Sequence, residues 1–204
     1  MISNTEYQLR NTRNLVTAII TCWFFLVVFG AKTNFLSNLY MPLIALIVAS
    51  TIAIPVTWYF YSQNLRLYMI KLGHRNIILM HSWRIPAAIL FFWYGYLGEL
   101  PNLFWILAGV GDFIAGSMAV WFFYKPESHQ SYKFFHRFGF ADFIIAVGTG
   151  LTFTLMQDEK MGLITKLPMA LIPLFGVGIS GASHIMAFDM LKKKVGFKKK
   201  VETK

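Results

Sequence analysis

Charge is what this chain has least of. Only 14% of its 204 residues are Asp, Glu, Lys or Arg, against 56% hydrophobic. A soluble domain carries about a quarter charged residues, so a chain folded alone in water is excluded. The single cysteine, Cys22, falls in the first apolar stretch. No disulfide framework and no thiolate metal centre can therefore be built within the chain. No Gly/Ser-rich or Pro-rich linker interrupts it, which makes residues 1–204 one membrane domain ending in a basic tail at 191–204. A phosphate-cradling glycine loop, a nucleotide fingerprint and a Ser-His-Asp order are also missing.

What is present is a set of long apolar runs. Stretches of roughly 20 apolar residues are long enough to span a bilayer as helices. The windows fall at about 14–30, 38–61, 79–97, 102–124, 134–156 and 167–190. The first reads as an uncleaved signal anchor, since Phe29-Gly30-Ala31-Lys32 is a poor cleavage site. The expected fold is all-α, with six transmembrane helices.

The formal net charge is +10, yet its distribution argues for a membrane topology and against nucleic-acid binding. Nineteen Lys and Arg are present, and all but Lys32, Lys160 and Lys166 flank one side of the predicted spans. That is the positive-inside bias, which predicts both termini in the cytoplasm; the expected location is the inner (plasma) membrane. Lys192, Lys193, Lys194, Lys198, Lys199 and Lys200 are expected to sit against anionic lipid headgroups.

Ionisable residues inside the spans are costly, and they usually face a protein interior. They occur only in spans 3 to 6, each on a helical face rich in small residues. Span 3 offers His81, Arg84, Ala88, Phe91 and Gly95; span 4 offers Ala108, Asp112, Ala115 and Ala119. Span 5 offers Gly139, Asp142, Ala146 and Gly150, and span 6 offers Pro173, Ser180 and His184. Small residues let membrane helices approach closely. The expectation is a four-helix core of spans 3–6 with spans 1 and 2 outside it. At ~1.5 Å rise per residue, His81 and His136 are expected at the cytoplasmic interface, with Arg84 and His184 somewhat deeper. Asp142 is about two turns in and Asp112 near mid-membrane, furthest from any cation, so the polar residues predict a funnel open to the cytoplasm. His74 and His129 are expected in exposed basic connections.

Arg84 cannot neutralise itself and needs a partner, for which Asp142 is the better candidate by depth. Asp112, Asp142, Arg84 and His184 form a candidate ion or proton pathway. Two of His81, His136 and His184 could instead clamp one b-type haem, or all three could hold a metal ion. Gly109-Val110-Gly111-Asp112 matches the Gly-x-Gly-Asp motif of intramembrane aspartyl proteases. In those families that motif follows the second aspartate, whereas here it precedes Asp142, and their other hallmarks are absent.

The motifs His81-Ser82-Trp83-Arg84, Leu100-Pro101-Asn102-Leu103-Phe104, Gly109-Val110-Gly111-Asp112, Gly139-Phe140-Ala141-Asp142 and His184 resemble those of a group of small bacterial six-helix membrane proteins of no established function. The resemblance covers about residues 80–190 and implies an architecture and a bacterial origin. Three functions fit these residues. One is proton- or cation-linked transport of a small solute. Another is a single-haem cytochrome passing electrons to or from quinone. The third is a non-catalytic membrane subunit whose lysine tail docks a partner.

Overall fold

A computed structural model describes residues 4–197. Seven α-helices follow in order: α1 (Asn4–Lys32), α2 (Met41–Tyr61), α3 (Gln63–Met80), α4 (Arg84–Tyr96), α5 (Asn102–Tyr124), α6 (His129–Leu155) and α7 (Val177–Lys192). No strand occurs among the described residues. Among the described residues, six segments are long and apolar enough to cross a membrane: α1, α2, α3 continued by α4, α5, α6, and α7 with the turn before it. The protein is an all-α polytopic membrane protein.

Local chemistry sets the breaks. Gly73 has φ +77° and ψ 157°, a backbone region open to glycine and strained for other residues. It divides α3, so the third span is a rod running from His74 through a 3₁₀ turn at His81–Trp83 to Tyr96. Ser128 caps α6 by accepting from the Ser131 amide at 3.4 Å. A π-helical turn at Ile172–Gly176 leads into α7 and contains Pro173, which has no N–H to donate. The indole Nε1 of Trp23 donates to the Leu174 carbonyl there at 2.8 Å, tying α1 to the last span.

Three helices begin earlier than the hydropathy windows: α1 at Asn4 instead of 14, the third span at residue 74 instead of 79, and α6 at His129 instead of 134. Helical hydrogen bonding continues through His, Asn, Gln and Tyr, where an apolar window ends. The shift matters for the site, because it moves His81 and His136 about two turns inside their helices.

The small-residue faces pack as helix-to-helix contacts. Ala88, Ala108, Ala115 and Ala119 are all at most 1% exposed. A Cβ on Gly116 would lie 2.9 Å from the Ile85 backbone nitrogen, so α5 touches the third span beside Arg84. Span 2 is more than an outer layer. Ile44 and Val48 share a core cluster with Ala87, Phe91 and Ala108, and Thr51 and Ile52 press on Gly178 and Gly181 of α7. It is α1 that faces outward, with Leu15, Ile19, Phe25, Leu26 and Phe29 exposed. Val16, Tyr59, Leu65 and Met190 cluster together. This brings the first half of α1, the end of α2, the start of α3 and the end of α7 to one end of the bundle, the basic end.

Candidate functional site

Arg84, Asp112 and Asp142 stand near the middle of the third span, α5 and α6 respectively. Arg84 Nε donates to Asp112 Oδ1 at 2.6 Å, and Nη2 donates to Asp142 Oδ2. Nη1 donates to the Gly139 carbonyl at 3.3 Å. All three ionisable side chains are buried, with Arg84 2% exposed. Asp112 is therefore not remote from a cation, as depth alone suggests. One guanidinium serves both carboxylates, because its fork of donors can face two helices at once.

Glycines make this possible. A Cβ at Gly111 would overlap the Asp142 carboxylate, and one at Gly109 would lie 2.7 Å from the Phe92 ring. The Gly-x-Gly-Asp run is thus explained by packing: Gly109 admits α4, Gly111 admits Asp142, and Asp112 holds Arg84. A guanidinium between the two aspartates is also the wrong arrangement for aspartyl protease chemistry, which needs carboxyls close enough to share a proton.

On the basic side of this triad lies a second polar cluster. His136 Nδ1 and His184 Nδ1 share a hydrogen bond at 2.9 Å. The His81 ring stacks on His184, with centroids 4.2 Å apart. The Ser183 hydroxyl has one proton and donates it to the Ser180 carbonyl at 2.9 Å. Its 3.1 Å contact with His81 Nε2 therefore has the histidine as donor, which leaves the lone pair of a neutral His81 on Nδ1. His81, His136 and His184 are at most 1% exposed, so their rings face protein on every side. Gly139 joins the two clusters, since a Cβ there would lie 2.7 Å from His184 Cε1 and 3.5 Å from Arg84 Nη1.

His74 also belongs here and is fully buried. Its Nε2 donates to the Val195 carbonyl at 3.0 Å, and its backbone amide donates to Gly196 O at 3.2 Å. Phe197 lies 4.8 Å from the His74 ring and stacks on Tyr132. The C-terminal segment thus closes the basic end, and the open funnel is replaced by a capped column of histidines. The spacing of seven between His74 and His81 was the sequence signal for the same helical face. Ser183 carried none. His129 is exposed, as expected of a basic connection, and Lys192, Lys193 and Lys194 are exposed; Lys198, Lys199 and Lys200 lie outside the described residues.

On the other side of the triad is an apolar cavity of about 210 Å³. Its inner end is Trp83, Arg84, Asp112 and Ser180. The opposite end is closed by buried Met161, Ile164 and Met169. Its side wall between α2 and α6 includes Ala49 and Leu151, which are also exposed; the cavity is one side-chain layer from lipid. The Trp83 indole donates to Ser180 Oγ at 3.0 Å and is seated against Gly176, fixing that inner end.

No histidine lines the cavity. A bis-histidine haem needs two ring nitrogens aimed at one iron from opposite faces of a macrocycle. Rings stacked at 4.2 Å and bonded at 2.9 Å leave no such slot.

These features define a polytopic membrane protein with a buried, charged and histidine-lined interior. Residues 38–192, covering spans 2 to 6, match the family described as a domain of unknown function, DUF8737, and the chain belongs to that family. The matched region takes in every motif of the resemblance described above and leaves out α1. No curated protein and no solved structure matches the chain.

Proposed function

We propose that this protein is a membrane carrier that couples a proton or small cation to the movement of a small, largely apolar solute with one anionic group. The observation that carries the reading is the mid-membrane cavity whose polar end is Arg84 hydrogen-bonded to Asp112. An anionic group entering that end competes with Asp112 for the guanidinium. Two carboxylates and one guanidinium sum to a formal charge of −1, and an added anion would make it −2. A displaced carboxyl that takes up a proton offsets this, so solute and proton bind together. His184, beside Arg84 across Gly139, gates exchange with the basic end, which the positive-inside bias assigns to the cytoplasm. Entry from the lipid layer between α2 and α6 suits an amphiphile.

The test uses a small aromatic sulfonate, which stays ionised and does not cross a bilayer unaided. In proteoliposomes, the wild type should accumulate it when the outside is made acidic. Asp112→Asn should lose the response to the pH gradient. Uptake that ignores the gradient, or survives Asp112→Asn and Arg84→Lys unchanged, would overturn the reading.

A further inference from the structure

Outside the charge triad and the cavity, the largest concentration of buried polar atoms without partners is the histidine column. Tyr132 OH, His74 Nδ1, His81 Nδ1, His136 Nε2 and His184 Nε2 all lack a hydrogen-bond partner. Buried polar groups are nearly always satisfied, so an unsatisfied set in one place calls for something to satisfy it. Water alone would need several donors and acceptors around it. Here the surroundings are three imidazoles, the Ser183 hydroxyl already bonded to the Ser180 carbonyl, and aromatic rings, including Phe135 at 5.4 Å from His81.

We infer that His81, His136 and His184 form a binding site for one divalent transition-metal ion of the zinc or cobalt type. One ring nitrogen from each lies within 4.8 Å of the other two. Around a tetrahedral ion with metal–nitrogen bonds of ~2.0–2.1 Å, nitrogen ligands stand roughly 3.4 Å apart. The rings need only rotate on their own side chains to close that gap. The donor set is all nitrogen, which selects such ions over magnesium or calcium, both of which prefer oxygen.

Two further features fit a metal centre. Histidines that bind metals generally donate their second ring N–H to a fixed acceptor, which sets the tautomer. His81 has that arrangement: Nε2–H is held by Ser183 Oγ, itself anchored to the Ser180 carbonyl, and the free lone pair of the neutral ring is on Nδ1. The charge environment is also complementary. The Arg84–Asp112–Asp142 triad carries a formal −1 and adjoins His184 across Gly139. A dication is stabilised by that neighbour, and a protonated imidazole is not required for neutrality. Ligation through Nδ1 of His136 and His184 replaces the proton that those two atoms share in the metal-free form, and their Nε2–H groups then have no protein acceptor.

The site does not depend on the carrier reading, since metal binding is measured in detergent with no solute and no gradient. Tag-free protein would be stripped with a chelator and titrated with Co²⁺, followed by visible absorption, with Zn²⁺ as competitor. The expected result is one Co²⁺ per chain, with the ligand-field bands of a low-coordinate nitrogen site, displaced by Zn²⁺. His184→Ala should abolish binding, and His129→Ala, at an exposed position outside the cluster, should leave it unchanged. Ser183→Ala, which removes the acceptor that orients His81, should weaken binding about 10–100-fold. Should His184→Ala fail to fold, the wild-type titration still decides. Wild-type protein without saturable one-to-one Co²⁺ binding overturns the site, as does undiminished binding in folded His184→Ala protein.

Discussion

Replacing Arg84 with methionine isolates the energetics on which the buried triad depends. Methionine keeps an unbranched apolar stem but removes the guanidinium and every donor. Asp112 and Asp142, only 6% and 8% exposed, would lose their shared cation, and Gly139 O would lose a hydrogen bond. Removing one partner of a buried ion pair costs about 3–5 kcal/mol, because the remaining charge stays desolvated. Here a single change strands two carboxylates, which places the expected loss near the upper end, about 5 kcal/mol. At about 2–4 °C per kcal/mol for a chain of this size, that lowers Tm by roughly 10–20 °C. Neutralising both acids as well, in Arg84→Met/Asp112→Asn/Asp142→Asn, removes the stranded charge and should recover about half of the loss or more. The assay is thermal unfolding in detergent, followed by tryptophan fluorescence or loss of monodispersity. If Arg84→Met melted within about 2 °C of wild type, or if the triple variant melted no higher than the single one, the triad could not be the buried ion network described.

Four other outcomes are expected. Gly111→Ala should destabilise by about 1–3 kcal/mol through overlap with the Asp142 carboxylate. Gly148→Ala, which meets nothing within 4 Å, should be neutral or mildly stabilising in the same melt. Trp83→Phe keeps a ring against Gly176 but loses the bond to Ser180, and should cost about 1 kcal/mol while loosening the inner end of the cavity. In a Cys22→Ala background, His74→Cys should react slowly with a water-soluble maleimide in the full chain. It should react many times faster when the chain is cut after Lys194, since Val195, Gly196 and Phe197 cover that position. Equal rates would mean the C-terminal segment does not cap the column.

Spans and site were legible in the sequence to different degrees, for physical reasons. Hydropathy reports the cost of burying side chains in lipid, so it located six spans well. It does not report backbone hydrogen bonding, so it missed the starts at His74 and His129. The small-residue faces correctly turned Arg84, Asp112, Asp142 and His184 inward, because a face of Ala and Gly can only be a close helix contact. Helical spacing says nothing about which neighbour a long side chain reaches. Arg84 spans from α4 to both α5 and α6, and that reach was invisible to a depth count that paired it with Asp142 alone. The cap on His74 was hidden for a related reason. Val195-Gly196-Phe197 reads as a polar tail's edge, and only the turn back over the bundle brings Phe197 onto His74 and Tyr132. The cavity was out of reach as well, since its walls join span 2 to residues between 161 and 173 that are all apolar and carry no polar signal: Met161, Ile164, Met169, Ile172 and Pro173.

The central claim is that occupying the inner end of the cavity is linked to protonation of the Arg84–Asp112–Asp142 triad. The most direct measurement is calorimetric binding of the aromatic sulfonate to detergent-purified protein in buffers of different ionisation enthalpy, which counts protons taken up per solute bound. Wild-type protein should take up about one proton per solute, and Asp112→Asn should take up fewer. Saturable binding with no proton uptake in the wild type would contradict the account.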